Sequence, residues 1–163
     1  MNKIISLEQM SDFEVYNPIL TLNEDVDFDN RFVVICTNLG NIAFSYYDLG
    51  PAPDYIIHDT KMFLCFGQGY YILDLKEKCI IYKGDDAIGV IFEIIKFDLQ
   101  SCIVFIGELS VRCFGLEGDL LWKNDYKYSI FDWSVTDEGL IIVFENDEKR
   151  LVLLKDGNSN LIV

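Results

Sequence analysis

Met62-Phe-Leu-Cys-Phe-Gly67 is echoed by Cys102-Ile-Val-Phe-Ile-Gly107 further along the sequence. At the same offset, and without a gap, Cys79-Ile-Ile-Tyr-Lys83 matches Asp119-Leu-Leu-Trp-Lys123. Each half of the match holds a short apolar run closed by glycine, then a run ending in an aromatic and a lysine. Runs of this length, rich in Ile, Val, Phe and Tyr and bounded by Gly, Asp and Asn, read as β-strands. Two strands, a turn glycine and a terminal aromatic therefore keep register from one copy to the next, which is the signature of a structural repeat.

The repeat extends in both directions. Leu140-Ile-Ile-Val-Phe144 follows Cys102–Ile106 at nearly the same offset, with Leu151–Leu154 and Leu161–Val163 after it. Phe32-Val-Val-Ile-Cys36 precedes Met62–Phe66 at a shorter one, with Asn41–Tyr46 as its next strand. Each unit also has a candidate strand upstream: Ile19–Leu22, Tyr55–His58, Val90–Phe97 and Ser129–Val135. Only Leu7–Phe13 offers a helical turn. Four short antiparallel strands at a period of about 40 are the layout of a β-propeller blade. A four-stranded sheet cannot bury both faces by itself, so such units stack face to face. The sequence thus predicts an all-β fold: an antiparallel meander of about four propeller-like four-stranded repeats, forming a small or incomplete β-propeller in one domain over residues 1–163. Leu116-Glu-Gly-Asp-Leu-Leu-Trp122 resembles the end of a quinoprotein-type propeller blade, and Leu75-Lys-Glu-Lys-Cys-Ile-Ile-Tyr82 is a degenerate copy. Quinone-cofactor chemistry does not come with that resemblance, because no matching metal-centred acid and Asn site can be found.

Composition agrees with a packed chain and narrows its chemistry. Hydrophobic residues are 51% of the 163, too many for a disordered chain. Thirteen Lys and Arg against 27 Asp and Glu give a net charge of −14. Direct nucleic-acid binding is therefore not expected, since phosphates are neutralised by basic patches. The residues after Met1 meet acids too soon to make a signal peptide's apolar region. No apolar run approaches the roughly 18 residues that span a bilayer. A cytoplasmic protein without membrane contact is the expectation. Five cysteines (Cys36, Cys65, Cys79, Cys102, Cys113), an odd number with no CxxC pair, fit reduced thiols, all expected to be buried. Cys113, beside Arg112, is the one candidate for a reactive thiol.

No catalytic constellation survives inspection. Asn23-Glu-Asp-Val-Asp-Phe-Asp-Asn30 opens like a calcium loop, but Asn30 takes the place of the required Gly and Cys36 that of the bidentate Glu. The acidic pairs Asp85-Asp86, Asp137-Glu138 and Asp147-Glu148 fall in turns, where nothing predicts the burial that raises a carboxyl pKa. His58, the only histidine, stands beside Asp59 without a nucleophile or a second His. The expectation is therefore no enzyme, no cofactor and no metal.

What remains is acidity with aromatics: Tyr46-Tyr47, Tyr70-Tyr71, Tyr126, Tyr128 and Phe131-Asp-Trp133. Rings beside carboxylates, where a sheet face is bare, compose a surface for a protein partner. In size, charge and lack of chemistry the chain resembles the immunity proteins of bacterial toxin–immunity systems. That resemblance implies a basic partner, a cognate nuclease toxin, whose phosphate-binding surface is met by carboxylates. The candidate partner-binding residues are Glu24, Asp25, Asp27, Asp29, Asp132, Asp137, Glu138, Asp147 and Glu148. The alternative is a propeller-type scaffold or ligand-binding module without catalytic activity.

Overall fold

A computed structural model describes residues 2–23, 30–47, 51–67, 69–84 and 89–162. Among the described residues, sixteen strands make four four-stranded sheets. The second sheet runs in simple order through β5 (Asp54–His58), β6 (Lys61–Phe66), β7 (Gly69–Asp74) and β8 (Cys79–Gly84). The third does the same with β9 (Ile91–Phe97), β10 (Cys102–Gly107), β11 (Ser110–Gly115) and β12 (Leu120–Asp125). The fourth holds β13 (Ile130–Val135), β14 (Gly139–Phe144), β15 (Lys149–Leu153) and β16 (Ser159–Ile162). All pairs within these three sheets are antiparallel.

The sequence repeat is realised in detail. Gly67 and Gly107 lie at the turns joining the second and third strands of neighbouring sheets. Tyr82 and Trp122 both sit on fourth strands, next to the same irregularity. Ile72 pairs with Tyr82 but Leu73 with Ile80, and Cys113 pairs with Trp122 but Phe114 with Leu120. Ile81 and Leu121 are the extra residues of two equivalent bulges, which strengthen the local twist.

The sheets bury apolar surface by stacking, alternate residues of each strand pointing to opposite sides. Val33, Ile35, Ile42 and Phe44 of the first sheet meet Met62, Leu64, Phe66 and Tyr71 of the second. Phe63, Cys65, Tyr70 and Ile72 of the second meet Ile103, Phe105 and Phe114 of the third. Val104, Ile106, Val111 and Cys113 of the third meet Leu140, Ile142, Phe144 and Val152 of the fourth. The adjacent Tyr70 and Tyr71 thus lie in two different cores, and both are buried.

The first sheet departs from the expected layout, in which Ile19–Leu22 supplies its first strand. Instead β1 (Lys3–Leu7) pairs with β3 (Asn30–Thr37), which pairs with β4 (Gly40–Tyr47), and β2 (Leu20–Asn23) lies at the far edge, parallel to β4. Between β1 and β2 the chain crosses the outward face of this sheet as a 3₁₀ turn (Met10–Asp12) and a one-turn helix, α1 (Phe13–Tyr16). Phe13 is buried there against Val34 and Ala43, with its ring edge-on to Phe32 at 6.1 Å. Asn41 Nδ2 donates to Tyr16 O at 2.6 Å and fixes the end of the crossing. The crossing carries the chain from one end of the sheet to the other, so the next strand must run parallel to β4.

The expectation of five buried thiols is corrected. Cys65, Cys102 and Cys113 are buried, Cys36 is partly exposed and Cys79 is exposed. Cys79 opens an outermost strand, where one side of the sheet has no neighbour. Burial pushes the Cys65 thiol up to about 12. The thiol of Cys113 is also raised, by its hydrogen bond with Cys102 and by burial, so Arg112 does not activate it.

Candidate functional site

The segment linking the third and fourth sheets, residues 126–129, carries Tyr126, Lys127 and Tyr128. It is held at one rim of the stack by main-chain bonds: Tyr126 N to Leu109 O (2.8 Å), Ile130 N to Glu108 O (2.6 Å) and Glu145 N to Ser129 O (3.0 Å). Beneath it lies Arg112, 1% exposed on a strand that is otherwise small or apolar. Its Nη1 donates to Asn124 O at 3.0 Å and its Nη2 to Asp125 Oδ1 at 2.6 Å. These bonds from its two terminal nitrogens offset the cost of burying the guanidinium, and through them it anchors the start of the linking segment.

Above this anchor opens a cleft of about 270 Å³, lined by Asp125, Tyr126, Lys127, Tyr128, Phe144, Glu148 and Arg150. Tyr126 packs edge-on against Phe144 at 4.9 Å, and burial raises its hydroxyl pKa. Lys127 Nζ lies 5.0 Å above the Tyr128 ring. Arg150 Nε donates to Glu148 Oε1 at 2.5 Å. The walls are thus aromatic, and their charges are tied to partners: Asp125 to Arg112, Glu148 to Arg150, and Lys127 to the Tyr128 ring.

The same segment continues into an aromatic ledge along the innermost strands. Trp133 stacks on Phe92 at 5.7 Å and 10°, and its Nε1 donates to Glu93 Oε2 at 2.8 Å. Phe131 beside it is 78% exposed. Asp132, also exposed, accepts the Trp133 N–H at Oδ1.

The candidate acids do not form one patch. Glu24, Asp25, Asp27 and Asp29 lie outside the described residues, as does the pair Asp85-Asp86. Asp137 and Glu138 precede β14 and Asp147 and Glu148 follow it, so the two pairs occupy opposite ends of a six-residue strand. A strand of that length spans about 20 Å. Asp147, at φ 64°, forms the β14–β15 turn, and Glu148 is engaged by Arg150. Among the described candidates, Asp132, Asp147 and Glu148 fall at the end that carries the cleft. Tyr126, Tyr128, Phe131 and Trp133 stand out in the sequence, whereas the Arg112–Asp125 anchor does not. The one signal for it is an arginine in the middle of Ser110-Val-Arg-Cys-Phe-Gly115.

Among the described residues no three His, Cys, Asp or Glu side chains come together as a metal site. His58 ends its strand 3.8 Å from Asp59. Among the described residues no helix is long and apolar enough to cross a membrane.

No protein-family model matches the sequence. No curated protein matches it. Solved structures do match. BamB from Moraxella catarrhalis is 10% identical over 84% of this chain and 47% of that chain, with a TM-score of 0.50. The computationally designed Ika8 protein is 9% identical over 83% and 46%, with a TM-score of 0.50. The β-propeller domain of Myceliophteria thermophila Cps50 (Swd1) is 15% identical over 83% and 52%, with a TM-score of 0.50. At these identities the likeness is one of fold. The sheets are β-propeller blades, and the chain spans about half the length of the structures it matches.

Proposed function

We propose that this chain is a non-catalytic binding scaffold that takes an extended segment of a protein partner across the cleft at Tyr126–Arg150 and along the ledge of Phe131 and Trp133. The observation that carries the reading is the exposure of Phe131 and Tyr128 beside Asp132, just after a segment whose start is anchored by Arg112. An aromatic anchor on a rigid support loses little conformational entropy on binding, and such residues dominate interface energetics. Paired charges around it supply register more than affinity.

A second reading, neutralisation of a basic nuclease toxin as in toxin–immunity pairs, is favoured by the net charge of −14. The two readings differ in their response to salt. Partner capture from the native cell extract is measured at low and high salt with Phe131→Ala and with Asp132→Lys/Asp147→Lys. A scaffold reading through the ledge expects Phe131→Ala to weaken capture about tenfold or more at both salt levels. Capture insensitive to Phe131→Ala, but abolished by the acid reversals and by salt, overturns it in favour of the charge-driven reading.

A further inference from the structure

The two ends of the stack present different surfaces. On β13–β16 the buried core uses Leu140, Ile142 and Val152, so the alternating residues Ile141, Val143, Leu151 and Leu153 point the other way. They stay half-exposed, and among the described residues no core forms on that side. On the first sheet the outward face is covered by α1 and the 3₁₀ turn, which in turn show Met10 and Val15 to solvent, 50% and 82% exposed. The bare face of the fourth blade is thus apolar in the middle, and the cover of the first blade shows two apolar side chains beside the exposed Glu14.

We propose that these two surfaces are complementary halves of one junction: the bare face of the fourth blade docks on the helix-covered face of the first blade of a second copy, twice, closing two chains into one eight-bladed ring. Three observations carry this. The chain spans 46–52% of the length of the propeller structures it resembles, so two copies supply the length of one such chain.

Charge supplies the second. Blades stack with the innermost strand of one lying over the two inner strands of the blade before it, as β9 lies on β5 and β6. On the fourth blade, Asp132 sits on the innermost strand and Lys149 on the third, both in register with Val143 and on its side of the sheet. On the first blade, Lys3 sits on the innermost strand, in register with Cys36 on the helix side. Glu14 lies on α1, above the inner pair of strands. The same stacking lays Lys3 over the innermost pair of the fourth blade, toward Asp132, and brings Lys149 toward Glu14.

Area supplies the third. Four strands about 4.8 Å apart and about six residues long present on the order of 400 Å² per face. Two junctions use four faces, which reaches the roughly 1,200–2,000 Å² of a stable interface. Closure at two copies also leaves no end face to propagate a fibre.

The test uses two charge-neutral swaps. Asp132→Lys/Lys149→Glu reverses the tail, and Lys3→Glu/Glu14→Lys reverses the head, each leaving the net charge at −14. Mass is measured in solution over a concentration series, with circular dichroism to confirm folding. The unmodified chain is expected at twice 18.8 kDa, and each swapped chain alone at least about tenfold weaker in self-association. Mixing the two swapped chains is expected to restore the dimer, because each tail then meets a matching head at both junctions. Val143→Lys, which puts a charge in the apolar centre, is expected to give a monomer that no swap rescues. A monomeric unmodified chain at every concentration overturns the proposal. So does a dimer that ignores the head swap, which would mean tail-to-tail pairing, and so does a mixture that fails to recombine.

Discussion

The first and fourth blades both end the stack, yet among the described residues only the first has its outer face covered by its own chain. There the backbone leaves β1 at one end, crosses the sheet through α1, and arrives at the other end to lay β2 parallel to β4. In the fourth blade β13 to β16 follow one another through short turns, and no segment crosses. The difference shows what a cover requires. A segment that traverses a face reverses the sense of the strand after it, so a blade can have a regular meander or a self-made lid, but not both.

The sharpest way to break this comparison is to delete the lid's anchor. Phe13→Ala removes a buried ring between Val34, Ala43 and Phe32 and is expected to cost about 3–5 kcal/mol. Phe131→Ala, at the other end, is expected to change stability by no more than about 0.5 kcal/mol. Urea unfolding midpoints of the two variants decide it. Equal shifts would mean that α1 does not hold the first face.

A kinetic probe sharpens the same contrast. Cys36 packs partly under the lid, whereas Cys79 is exposed. In the native protein a thiol reagent should consume Cys79 first and Cys36 more slowly. Cys65, Cys102 and Cys113 should react only on opening, giving five equivalents after denaturation. In Phe13→Ala, Cys36 should accelerate about tenfold or more while Cys79 is unchanged. An unaltered Cys36 rate would show that the helix does not shield that face.

The smallest effect tests how the reversed strand propagates into the next blade. Lys78 in blade two, at φ 54°, occupies the turn position that Gly118 and Gly157 hold in blades three and four, at 94° and 72°. A Cβ at Gly118 would come within 2.9 Å of Ile72, and one at Gly157 within 2.7 Å of Trp122, each a side chain of the preceding blade. Blade two follows the blade with the reversed outer strand, and a side chain is accommodated there. The Lys78 turn is already fixed by Asp74 Oδ1, which accepts from Lys76 N and Glu77 N. Lys78→Gly should therefore relieve backbone strain and stabilise by about 0.5–1 kcal/mol, read from the thermal midpoint. Destabilisation would mean that the lysine side chain contributes more than its backbone costs.

The middle of the molecule was legible because its information is local. Gly67 and Gly107, and Tyr82 and Trp122, sit at the same places in successive hairpins, and spacing alone reveals them. The first blade was not legible, since nothing in Lys3–Leu7 distinguishes an innermost strand from a frayed segment, and the direction of β2 depends on what α1 covers. The exposure of Cys79 depends on which strand is outermost, a property of stacking that apolar content does not encode. The candidate site was half legible. Its aromatics stood out next to acids, but the separation of Asp137-Glu138 from Asp147-Glu148 follows from their lying on either side of one strand.

The pairing of β1 with β3 also has a consequence in time. Lys3 meets Cys36 across a loop of roughly 30 residues, while Phe66 meets Gly69 across a single turn. Hairpins of the second kind close in microseconds, and the entropy of the larger loop must be met before its contacts form. During synthesis β1 therefore leaves the ribosome well before the strand it pairs with. It waits until Phe32–Cys36 has emerged, and in that interval Ile4 and Ile5 are an unpaired apolar edge that a chaperone or a second nascent chain can reach.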